Sequence, residues 1–208
     1  MSSHPLPPAP GREAKVCSPR SKSPRALPRM FHLTRKLVRL LFLFCLLAPS
    51  RAQTADLEAE TQRFLTEAFT QPPPSSSLWL TAEHKPAVRA LLGHDYPAAR
   101  LRYWRSGRRT AWVLDEIGKE MPITVGVVVD DGRIERMRVL AYRESRGWEV
   151  QSPNFLRQFA GAGLSGEQQL DRAIDGISGA TLSVRAMTRL AKLALWLHPQ
   201  AMQKASPP

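Results

Sequence analysis

The sequence predicts an α+β domain, an antiparallel sheet of two hairpins flanked by helices. Three observations carry this. Apolar residues fall at helical spacing near both ends of residues 53–198, they alternate two by two from Arg100 onward, and short polar turns separate the alternating runs. Thr54 to about Phe69 reads as the first helix, with Leu57, Phe64, Leu65 and Phe69 on one stripe and Asp56, Glu58 and Glu60 in the first turn. Gln71-Pro72-Pro73-Pro74-Ser75-Ser76-Ser77 then reads as a loop or linker. Thr81 is positioned to cap a second helix that runs to Leu92 and ends at Gly93.

Leu101 and Tyr103 alternate on one side of Ser106-Gly107-Arg108-Arg109, and Thr110, Trp112 and Leu114 on the other, which predicts a hairpin. Ile123 to Val129 is a nearly continuous β-branched run, the pattern of a central strand. Asp130-Asp131-Gly132 turns it, and Ile134 to Tyr142 returns with Ile134, Met137, Val139 and Ala141 loosely alternating. Gly161, Gly163 and Gly166 mark a loop after Phe155–Phe159. Thr181 to Leu197 is a helix with Leu182, Ala186, Leu190, Leu193 and Leu197 on one face, ended by Pro199 and a polar, disordered tail over 199–208.

Net charge points away from nucleic acid once its distribution is considered. The chain of 208 residues has 30 Lys and Arg against 18 Asp and Glu, for +12. Ten of the basic residues and only one acid lie in residues 1–52, so residues 53–208 carry 20 against 17, or +3. That leaves too little basic excess for a nucleic-acid binder.

The basic segment reads as an address. Residues 1–29 are rich in Pro, Ser and basic residues and form a disordered or non-native extension, with Met30 as an alternative start to Met1. Residues 30–52 read as a signal peptide. Arg35, Lys36 and Arg39 form its positive region, Leu40 to Ala48 its apolar run, and Ser50 and Ala52 the small residues before a cut at Gln53. The apolar run is about half of the roughly 20 residues that a spanning helix needs. Both cysteines, Cys17 and Cys45, precede the cut, so the remaining chain has no disulfide or thiolate metal site. His84 and His94 have no ligand cluster around them, which supports no metal site.

One stretch carries chemistry, Asp175-Gly176-Ile177-Ser178-Gly179-Ala180-Thr181-Leu182-Ser183. Gly176 and Gly179 let the backbone approach a ligand, and the free N–H groups of the following helix favour an anion. Ser178 is placed to cap that helix, with Thr181 in its first turn. A phosphate bound there lies beside the Thr181 hydroxyl. By itself, Ser-Gly-Ala-Thr before a helix is equally an ordinary capped start. Gly176-Ile177-Ser178-Gly179-Ala180 nearly fits a hydrolase elbow, but no acid follows Asp175, so a Ser, acid, His order cannot be completed.

Asp175 to Thr181 resembles the flavinylation motif of FMN-binding domains, as found in flavin-bearing components of the sodium-translocating NADH:quinone oxidoreductase and of the Rnf complex. The Asp130-Asp131-Gly132 turn, Glu144 in Tyr142-Arg143-Glu144-Ser145 and the segment Phe155-Leu156-Arg157-Gln158-Phe159 extend the resemblance over about residues 95–198. Residues 53–94 then form an N-terminal helical segment ahead of an FMN-binding-domain-like fold.

The resemblance implies a covalent FMN, joined through its phosphate to Thr181 by a flavin transferase that uses FAD and magnesium. Ser183 is a second, weaker hydroxyl. Ser178, Gly179 and Ala180, with Gly176, would shape the phosphate site. Asp175 would be read by the transferase or orient the turn. Glu144 would hydrogen-bond the flavin or its ribityl chain, or else be a charged residue at a strand end. Trp112, Tyr142, Trp148, Phe155 and Phe159 are candidates to cover the ring, core packing being the alternative for each. Arg100, Arg102, Arg105, Arg108 and Arg109 make a basic hairpin, either a solvated edge or a dock for an acidic partner.

Without a convincing membrane anchor, the chain resembles the exported, free-standing members rather than those of the ion-pumping complexes. The implied function is electron transfer between redox partners in the periplasm, with no catalytic residue of its own. The partners are the flavin transferase and a redox protein, membrane-bound or not. Two alternatives remain, a flavin-dependent reductase of a small acceptor and a cofactor-free periplasmic binding or assembly protein.

Overall fold

The computed structural model describes residues 51–166 and 168–204, with side chains from residue 54 to 203. The extension, the cysteines and nearly all of the signal-peptide reading lie outside the described residues. In chain order the elements are α1 (Arg51–Ala68), β1 (Ser75–Trp79), α2 (Lys85–Leu92), β2 (Arg100–Ser106), β3 (Arg109–Ile117), β4 (Pro122–Asp130), β5 (Arg133–Tyr142), α3 (Pro153–Leu156) and α4 (Thr181–Lys204). Short 3-10 turns flank α3 at Trp148–Gln151 and Arg157–Phe159. Among the described residues no helix is long and apolar enough to cross a membrane.

The strands form one antiparallel sheet in the order β1-β2-β3-β4-β5. The two expected hairpins are present. Ser106 pairs with Arg109, and Asp130 with Arg133 across Asp131-Gly132, both at positive φ as a type I′ turn demands. The fifth strand is a departure from the sequence reading. Ser75-Ser76-Ser77 is not loop but the start of β1, with Ser75 opposite Trp104 and Trp79 opposite Arg100. Serine has little strand preference, and the proline run ahead of it signals a break. What holds β1 is main-chain pairing to β2 and a single buried anchor, Leu78.

Both faces of the sheet are covered, which explains the unbroken apolar run of β4. Val125, Val127 and Val129 face the larger core with α2 and α4, including Val88, Leu92, Ala186, Leu190, Leu193 and Leu197. Val128 faces the other side, where Phe64, Leu65 and Ala68 of α1 and Phe69 just after it pack with Trp104, Ala111 and Leu140. At Gly126 the sheet has no side chain, and the Phe64 ring fills the place. A Cβ built there would lie 2.8 Å from two ring carbons.

Two helix ends differ from expectation. The second helix starts at Lys85, not at Thr81. His84 holds the N-cap position, Pro86 sits in the first turn, and Thr81 instead donates its N–H to His84 Nδ1 at 3.2 Å. Helix α4 does not stop at Pro199 but continues to Lys204. A proline inside a helix costs about 3 kcal/mol. Buried neighbours offset that cost here. Leu197, His198 and Ala201 are all buried, His198 Nδ1 lies 2.8 Å from Thr110 Oγ1, and Trp112 Nε1 donates to the same hydroxyl at 3.0 Å. Leu182 also departs from the helix's apolar stripe. Ala186, Leu190, Leu193 and Leu197 are buried as expected, whereas Leu182 is exposed.

Candidate functional site at the start of helix α4

The Ile177–Ala180 segment is a turn closed by the Ala180 N–H donating to the Ile177 carbonyl at 3.0 Å, with Gly179 at φ +81°. Val184 N–H donates to the Ala180 carbonyl at 2.9 Å, so Ala180, not Ser178, occupies the cap position. Alanine has no side-chain acceptor. Among the described residues nothing accepts from the N–H groups of Thr181, Leu182 or Ser183. A helix start with unclaimed N–H groups and its positive dipole end is suited to an anion.

An open cleft of about 540 Å³ lies in front of it, lined by Lys119, Glu144, Ser145, Arg146 and Gly179 to Ser183. This is within the roughly 300–1,000 Å³ usual for small-molecule sites. The cleft brings together Glu144, Gly179, Ala180, Thr181 and Ser183, five of the residues singled out in the sequence. Asp175, Gly176 and Ser178 are exposed on the chain leading in and are not among its lining residues. Gln158 Oε1 accepts the Asp175 N–H at 2.7 Å, which ties that lead-in to the Phe-rich segment.

The two hydroxyls are not equivalent. Thr181 is exposed at the first helical position. Ser183 is only 4% exposed, and its Oγ lies 3.1 Å from the Tyr142 hydroxyl, which itself donates to the Arg146 carbonyl at 2.5 Å. Burial raises the Tyr142 pKa, against the opposing effect of the Ser183 hydrogen bond. Gly147, at φ +84°, permits this closeness, because a Cβ there would lie 2.8 Å from Ser183 Oγ and 3.2 Å from the Ala180 Cβ.

Glu144 does more than end a strand. Its Oε1 accepts the backbone N–H groups of Lys119, Glu120 (2.7 Å) and Met121 (3.0 Å). Desolvation raises its pKa, but the three amide donors outweigh that and hold the carboxyl below its usual range. Glu144 therefore fixes the β3–β4 loop and, with it, Lys119 at the cleft. A Cβ on Gly118 would sit 2.7 Å from this oxygen.

Lys119, Ser145, Arg146 and Leu182 line the cleft without having been singled out as site residues. Lys119 and Arg146 are far from the motif in sequence and belong to no pattern, so only folding reveals them. Of the candidate ring-covering aromatics, Trp112, Phe155 and Phe159 are core, Tyr142 is half-buried and Trp148 is exposed. The basic hairpin is largely self-neutralised. Arg102 pairs with Glu58, Arg108 with Asp131 and Arg109 with Glu135, while Arg105 donates to the Gly107 carbonyl.

The histidines hold no metal cluster among the described residues. His84 meets the Trp196 ring edge-on at 5.6 Å. His94 Nε2 lies 2.8 Å from Glu116 Oε1, which Arg189 also approaches at 3.2 Å. The hydrogen bond to buried Glu116, helped by the Asp95 carbonyl, raises the His94 pKa against the effect of burial. The sign follows from linkage. A group whose pKa is raised on folding stabilises most below its unfolded value of about 6.5 and loses that contribution as pH rises through the folded value. A His94→Gln variant is therefore expected to melt below wild type in acid, with the gap closing as pH rises past neutrality. A gap that widens with pH in thermal melts would refute the assignment.

Residues 118–196, from the loop braced by Glu144 to near the end of α4, match the family of the FMN-binding domain. That stretch of the chain is thus similar to an FMN-binding domain, which points to flavin as the ligand class. The antiparallel sheet and its flanking helices agree with the α+β class read from the sequence. No curated protein matches the chain.

Proposed function

We propose that the protein is an exported electron-transfer flavoprotein with FMN attached through its phosphate to Thr181. The observation that carries this is the exposed Thr181 hydroxyl at the start of a helix whose first N–H groups are unclaimed, in a cleft that also holds Lys119 and Arg146. These features fit a phosphoester, which keeps one negative charge. Thr181 Oγ1 takes the flavin-bearing phosphoryl group from FAD, losing its proton while AMP leaves. Glu144 holds the loop that presents Lys119, and Gly179 and Ala180 leave room for the phosphate.

Bound FMN supplies reversible uptake and release of electrons. The chain supplies position, charge and access, with a flavin transferase and a redox protein as partners. Export is supported by the signal-like segment 30–52. Covalency is tested by unfolding the protein, purified from a host with a flavin transferase, in denaturant and filtering it. Flavin absorbance should travel with the chain. Flavin that separates as a free small molecule would refute the attachment.

A further inference from the structure

The described residues include five exposed large apolar side chains, Trp79, Ile117, Met121, Trp148 and Leu182. Four of these adjoin the elements of the cleft. Leu182 lines it, Ile117 and Met121 bracket the loop that Glu144 braces, and Trp148 stands two residues after cleft-lining Arg146. Trp148, Ile117 and Met121 are not themselves lining residues of the cleft; an exposed apolar side chain beside a ligand cleft is a candidate to be covered when the cleft is filled. Trp148 is the extreme case, 65% exposed, and Leu182 is 45% exposed on a helix whose other leucines are buried.

The chain holds Trp148 in place firmly. Gly147 packs against Ala180 and Ser183, the 3-10 turn Trp148–Gln151 follows at once, and Val150 in that turn is fully buried. Among the described residues no aromatic ring or cation covers the indole.

We propose that Trp148 and Leu182 form the seat of the isoalloxazine ring, with Trp148 stacked on the flavin and Leu182 supporting it beside the attachment point. The inference rests on the Thr181 reading and goes beyond it, since an anion site at the helix start explains the phosphate but not the apolar rim. The occupant follows from adjacency and chemistry. A flavin tethered at Thr181 starts one residue from Leu182, its ring is large, flat and electron-poor, and indole is the most electron-rich aromatic side chain. Trp148 and Leu182 are positioning residues, since neither exchanges atoms with the flavin.

The test compares flavin fluorescence of wild type, Trp148→Ala, Trp148→Phe and Trp79→Ala, each with its FMN content fixed by intact mass. A stacked indole quenches flavin emission, and phenylalanine is a poor quencher. Emission per flavin should rise severalfold in both Trp148 variants and stay at the wild-type value in Trp79→Ala, whose indole lies at the far edge strand β1. The Phe variant keeps an aromatic surface, which guards against loss of folding in the Ala variant. Unchanged emission in a fully flavin-loaded Trp148→Phe protein would overturn the seat and leave Trp148 to a partner's surface, with Thr181 attachment intact. Wild-type protein lacking the FMN mass would instead overturn the attachment itself.

Discussion

Thr181→Ala is expected to abolish covalent flavin while leaving the fold intact. The side chain is exposed at the first position of α4 and makes no hydrogen bond among the described residues, so its removal leaves no orphaned partner. Alanine is also the better helix former, by a few tenths of a kcal/mol, or about 0.5. The fluorescent band of the wild-type protein on a denaturing gel should vanish, while thermal melting of unmodified chains stays nearly unchanged. Thr181→Ser keeps a hydroxyl at the same place and should restore the band. Ser183 cannot substitute, because it is buried and engaged with Tyr142. A Thr181→Ala chain that retains covalent flavin would refute the assignment.

Phe64→Ala is expected to destabilise the domain by about 3–5 kcal/mol, the range for deleting a buried phenylalanine. Phe64 is fully buried, and its ring occupies the gap that Gly126 leaves in β4. Without it the second face of the sheet has a cavity lined by Leu65, Trp104, Ala111 and Val128. Against a total of about 5–15 kcal/mol for an ordinary domain, this is a large share. The prediction bears on function because α1 lies outside residues 118–196, the stretch that matches the flavin-binding family. Urea unfolding should show a lower midpoint with a similar slope. A loss well under 1 kcal/mol would mean that α1 is dispensable to the sheet.

Strands whose pattern is side-chain alternation were legible in the sequence, and those held by main-chain pairing were not. Trp112, Leu114 and the β4 valines announce burial by their chemistry, so β2 to β5 and both hairpin turns follow from spacing. β1 offers serines after prolines, and only its pairing to β2 makes it a strand. Pro199 is a local stop signal that tertiary burial of His198 and Ala201 overrides. At the site, the short motif makes Thr181 the candidate, but it cannot show that Ala180 is the cap or that Ser183 is buried. The chemistry of Glu144 was visible only as a carboxylate after a strand. Its three amide donors come from a loop more than twenty residues earlier, brought near by the β4–β5 pairing.

The most direct measurement is peptide mapping of the flavin-bearing protein. Trypsin cuts after Arg172 and Arg185, releasing residues 173–185, which contain Ser178, Thr181 and Ser183 together. The account predicts that this peptide gains the mass of one FMN less water and that fragmentation places the gain on Thr181. An unmodified peptide from protein that carries flavin, or a gain placed on Ser178 or Ser183, would contradict it.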